Sequence, residues 1–150
     1  MSESVATRRP SAARSVVTAE ATPALQVVRG LVAAAVLLSA DIHLVLYLDG
    51  FSDIPVIGPL FLVNVVAGLI IGVALLIIRH WFLAFVAAGF GAATFAAYLI
   101  SATVGLFGVQ EQNWDAQAVL AAVAEVVAAV GGVVLMVVWL RSRTRANTVG

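Results

Sequence analysis

Residues 116–140, AQAVLAAVAEVVAAVGGVVLMVVWL, form an apolar run of 25 residues interrupted by a single charge, Glu125. At ~1.5 Å per residue a helix of that length crosses the ~30 Å hydrocarbon core of a bilayer. A carboxylate inside such a run is costly and needs a reason. On a helical wheel, Ala118, Ala121, Ala122, Glu125, Ala128, Ala129 and Gly132 share one face. Leu120, Val123, Val127, Val130, Val134 and Val137 share the other. Small residues mark close helix approach and branched apolar ones suit lipid, so Glu125 is expected to face other helices.

Three further runs supply them. Apolar stretches at 26–48, 57–78 and 81–104 are each long enough to span, and 63% of the 150 residues are hydrophobic. The expected fold is an all-α membrane protein, a four-helix up-down transmembrane bundle over 25–140. Residues 1–24 are polar, irregular and basic, and read as a mobile cytoplasmic tail. The Arg8-Arg9 pair in that tail is followed by Pro10 rather than by apolar residues, so it reads as an anchor against anionic headgroups and not as an export signal. Residues 141–150 read as a second short tail.

Charge sets the orientation. All eight basic residues are arginines. Arg8, Arg9, Arg14 and Arg29 precede or open the first span, Arg79 lies between the second and third, and Arg141, Arg143 and Arg145 follow the fourth. The opposite loops carry Asp49, Asp53, Glu111 and Asp115 and no arginine. Both termini are therefore expected on the cytoplasmic side, N-in/C-in. Trp81 and Trp139 would mark the inner interface, and Tyr47 and Trp114 the outer one. The absence of lysine, with the excess of Ala and Val, points to a GC-rich bacterial genome and hence to a bacterial cytoplasmic membrane.

The connections carry turn and cap signals. Asp49-Gly50 reads as a turn, Pro55 and Pro59 suit the entry to a helix, and Asn113 is placed to cap the fourth span with Asp115 in its first turn. Gly68 and Gly72 read as a seam for packing within the chain.

The buried polar residues gather in one half of the membrane. At ~1.5 Å per residue, His43, Asn64, Tyr98 and Glu125 lie about 7 to 13 Å from the outer boundary. They form the candidate ligand site, in the outer leaflet. His43 and Glu125 could bind a divalent metal with Asn64 or water completing the shell, or could pass a proton between them. The alternative is structural, with a protonated Glu125 donating to Asn64 or Tyr98 and locking the bundle. Asp41 is two residues from His43, about 200° around the helix, so it is expected at the periphery, against another helix, a second subunit or the interface.

The chain has no Cys, no phosphate-binding loop, no nucleophile triad and no zinc-protease pattern. No cofactor is required by the sequence, and nothing points to nucleic acid. Three functions are expected: a non-enzymatic accessory or structural membrane component, a cation- or proton-binding or transport-type protein, and a haem or quinone redox helper. The partners expected are the lipid bilayer and a second copy or another membrane protein.

The block His43-Leu44-x-Leu46-Tyr47, then Gly50-Phe51-x-x-Ile54-Pro55-x-Ile57-Gly58-x-Leu60-Phe61-x-x-Asn64, resembles a pattern in small uncharacterised four-span membrane proteins of actinobacteria. The resemblance implies a four-span fold and places His43 and Asn64 in one block around the first outer loop.

Overall fold

The computed structural model describes residues 23–110 and 115–147. Arg8, Arg9, Arg14, Glu111, Asn113 and Trp114 lie outside them. The described residues form four helices, α1 (Pro23–Leu48), α2 (Ile57–Ile77), α3 (Trp81–Thr103) and α4 (Ala116–Asn147), with a 3-10 turn at Phe51–Asp53. Each of the four helices is long and apolar enough to cross a membrane. Val27, Leu31, Val63, Ile70, Phe82, Phe85, Val123 and Val130 are all exposed on the outside. An apolar exterior of this extent marks a membrane-facing surface, and the architecture is that of a multi-pass membrane protein.

The helix limits follow local chemistry. Pro23 opens α1, where the missing N–H would have had no partner. His80 caps α3, its Nδ1 accepting the Phe82 N–H at 3.2 Å. Asp115 caps α4, its carboxylate accepting the Ala118 N–H at 2.8 Å. Asp115 is therefore itself a cap, one residue before the helix, rather than a residue inside its first turn. The helix also continues past the apolar run to Asn147. Hydropathy falls at Arg141, but the residues that follow contain no Gly or Pro to stop a helix until Gly150.

Small residues set the packing. A Cβ on Gly72 would lie 2.6 Å from the Leu37 side chain, and one on Gly132 would lie 2.7 Å from the Ala84 carbonyl. The Gly68/Gly72 seam thus packs within the chain. On α4, Glu125, Ala128 and Gly132 are buried while Leu120, Val123, Val127, Val130 and Val134 are exposed, as the wheel predicts.

The helices pack in the order α2, α1, α4, α3. Among the described residues α2 and α4 do not touch, and α2 meets α3 far less than α1. A partial gap therefore runs between α2 and α3, bridged where Phe90 lies against Gly68 and where Asn64 meets Thr94, although only residues 78–80 link the two helices. The tight core occupies one half of the bundle. It joins Val32 and Val36 of α1, Ile71 and Leu75 of α2, Ala84 and Ala87 of α3, and Ala128 and Leu135 of α4. Trp139 belongs to it, only 4% exposed, so this ring fills the core instead of anchoring an interface. The other half of the bundle is hollow.

Candidate ligand site

The hollow half holds a cavity of about 580 Å³, within the range of small-molecule sites. His43, Asn64, Tyr98 and Glu125 all line it, and Asp41 does not. Asp41 is exposed on the outside of α1.

Two loops form the roof. Gly50 turns the chain with φ 119, and the 3-10 turn then folds over the start of α2. Gly58 makes this possible, because a Cβ there would lie 2.5 Å from the Ser52 carbonyl. Phe51 is thereby stacked on Phe61 at 5.2 Å, and Phe61 meets the edge of the His43 ring at 5.0 Å. On the other side, Leu106 and Val109 exchange backbone hydrogen bonds of 2.8 and 2.9 Å across Phe107-Gly108. Both central residues have positive φ, the form that closes a two-residue hairpin. The Ser101 hydroxyl donates to the Val109 carbonyl at 3.2 Å and ties this turn to α3.

The polar wall consists of two separate pairs. Between α1 and α4, the Ser39 hydroxyl donates to Glu125 Oε1 at 3.5 Å, with both residues fully buried. His43 Nδ1 lies 2.8 Å from the carbonyl of the same Ser39. A carbonyl only accepts, so Nδ1 carries the proton, and in the neutral ring Nε2 is left as an acceptor. Between α2 and α3, Asn64 Nδ2 donates to Thr94 Oγ1 at 3.1 Å, and Thr94 Oγ1 donates to the Phe90 carbonyl at 2.9 Å. With the threonine proton on Phe90, the Asn64 group facing Thr94 is the NH₂, and Asn64 Oδ1 is turned elsewhere.

The hydrogen bond expected between Glu125 and Asn64 is not the one that forms. Glu125 pairs with Ser39, and Asn64 pairs with Thr94, because each residue meets the helix packed beside its own. Oε2 of Glu125 and Oδ1 of Asn64 are buried without a hydrogen-bond partner among the described residues. Sequence reasoning left Ser39, Thr94 and the aromatic walls out of the site. Ser39 was within reach, one helical turn before His43 on the same buried face, but a lone serine in an apolar helix signals little.

Among the described residues, no group of three His, Cys, Asp or Glu could hold a metal. A metal on His43 and Glu125 would take only those two such ligands from the described residues. Apart from Ser101, Asp115 and Gln117, the rest of the lining is apolar, and it reaches the outside of the bundle. Leu60 and Val63 of α2 and Ala93 of α3 line the cavity and are also exposed, beside the α2–α3 gap. No protein-family model matches the chain, and no curated protein or solved structure does.

Proposed function

We propose that this chain is a non-enzymatic membrane protein that binds a small amphiphilic molecule in the cavity between its four helices. One observation carries the reading. Glu125 is 1% exposed, lines a cavity of about 580 Å³, and keeps one carboxylate oxygen without a partner. Buried polar groups are ordinarily satisfied. Glu125 and Asn64 each close on one residue of another helix, Ser39 and Thr94, yet each keeps a second oxygen that packing alone does not use. An apolar body suits Phe51, Phe61 and Phe90, and a polar head suits Glu125, Asn64 and His43.

The expected check is native mass spectrometry of the protein released from lipid nanodiscs. The wild type should carry a reproducible adduct. Glu125→Gln, which keeps the shape and removes the charge, should lose most of it. Ala121→Phe, which builds a ring into the cavity from α4, should lose it as well. Bare protein in all three samples would overturn the reading.

The bundle is read as up-down, in a bacterial cytoplasmic membrane, with both termini inside. Opposed contacts support antiparallel neighbours: Gly68 meets Ala40 while Gly72 meets Leu37, and Gly91 meets Ala128 while Gly132 meets Ala88. The arginine distribution supports the orientation. On this reading the cavity lies in the outer half, at the end with the Asp49 and Asp53 loop. Because the chain has no native Cys, Ser52→Cys provides a clean reporter. A membrane-impermeant maleimide added to intact spheroplasts should label it, and labelling only after lysis would reverse the orientation. The block from His43 to Asn64 supports placing the chain with the small four-span actinobacterial proteins it resembles.

A further inference from the structure

We propose that the ligand is an organic cation, an ammonium group on an apolar body, held at the polar wall that Glu125, Asn64 and His43 contribute to. This rests on the binding reading above and names the ligand class.

Glu125, Asn64 and His43 each keep an acceptor at the wall of the cavity. Glu125 Oε2 and Asn64 Oδ1 have no partner among the described residues, and both are acceptors when the carboxylate is ionised. His43 adds a third, since its Nδ1 is committed to the Ser39 carbonyl and leaves Nε2 with a lone pair. The NH₂ of Asn64 is directed at Thr94, so its oxygen is the group left over. With Glu125 ionised, a head group that brings hydrogen-bond donors meets all three acceptors.

Charge points the same way. Among the described residues, two carboxylates, Glu125 and Asp115, line the cavity and no arginine does. An anionic or acceptor-only head would meet repulsion and unpaired lone pairs. A cation supplies the missing charge and, as an ammonium, up to three donors. The rings of Phe51, Phe61, Phe90 and Tyr98 border the same space, and aromatic faces attract cations.

An inorganic ion fits poorly. The donors fall short of a metal set, and the cavity is far larger than one ion needs. An apolar body fills the remainder. The exposed Leu60, Val63 and Ala93 beside the α2–α3 gap give that body a way in from lipid.

The test uses three probes that share a chain and differ in the head: decylamine, decanol and decanoate. Each is added to the full-length protein in nanodiscs, and retained probe is read by native mass spectrometry at neutral pH. The wild type should hold decylamine at least about tenfold more tightly than decanol, as a charge-assisted hydrogen bond to a buried carboxylate allows. Decanoate should not be retained. Glu125→Gln should remove the preference for the amine, while Asp41→Asn should keep it, because Asp41 is an exposed carboxylate outside the cavity. The wild-type ratio stands as a test even if the Glu125 variant fails to fold. Equal retention of amine and alcohol, or preference for decanoate, would overturn the cation while leaving a binding cavity. Failure to retain any of the three would count against the cavity reading itself.

Discussion

Replacing Gly91 by valine is expected to pull α3 away from α4 and to cause the largest loss of stability of any single substitution considered. A Cβ at this position would run into the Glu125 carbonyl, and would lie 2.8 Å from the Ala129 nitrogen and 2.9 Å from the Ala128 Cβ. None of these atoms can rotate out of the way, so relief requires the helices to part. Overpacking costs about 1 to 3 kcal/mol when side chains can adjust, and backbone contact places this case at the upper end or beyond. Gly89→Val is the control. It is on the same helix two residues away, and a Cβ there meets nothing within 4 Å. Thermal unfolding in one detergent should show a marked fall in Tm for Gly91→Val and little change for Gly89→Val. Equal values would mean that the close approach of α3 and α4 is not a source of stability.

Glu125→Leu is expected to act in the opposite direction. The substitution removes a buried carboxylate that has one long hydrogen bond and one oxygen with no partner. Leaving a buried polar group unsatisfied costs about 1 to 3 kcal/mol, and an apolar side chain of similar size escapes that cost. The Ser39 hydroxyl left behind can turn to a carbonyl of its own helix. The variant should therefore unfold at a higher temperature than the unliganded wild type, by an amount equivalent to about 1 to 3 kcal/mol, and should retain no amine. Glue would behave differently. If Glu125 existed to hold α1 against α4, its loss would destabilise by about 0.6 to 2 kcal/mol. The sign of the change in Tm thus separates a residue kept for binding from one kept for packing.

Much of the fold was legible because each helix carries its environment in its own periodicity. The small face of α4 around Glu125 and the branched face around Val127 follow from the sequence of that helix alone. So do the inward His43 and the outward Asp41, which two residues of helical rotation place on opposite sides. The helix ends were less legible. Hydropathy locates the bilayer and says nothing of where backbone hydrogen bonding stops, so α4 ran on past Arg141 to Asn147.

The site was legible in its members and not in its connections. Sequence gathered His43, Asn64, Tyr98 and Glu125 at one depth, because depth is counted along each helix separately. Which of them meet depends on the order of helices around the bundle, a property of the assembled chain. Only when α1 is packed on α4, and α2 set beside α3, do Glu125 and Asn64 fall to different partners.

The sequence by itself determined four apolar helices, their inner and outer faces and the level of the polar residues, since these follow from hydrophobic length and a rotation of about 100° per residue. The tertiary structure decided that the polar level encloses a space. Small residues let the helices close tightly on the Trp139 side, while Phe51, Phe61 and Phe90 and the poor contact of α2 with α3 hold the other half open. A void is a property of how four surfaces fail to meet, and no one helix encodes it.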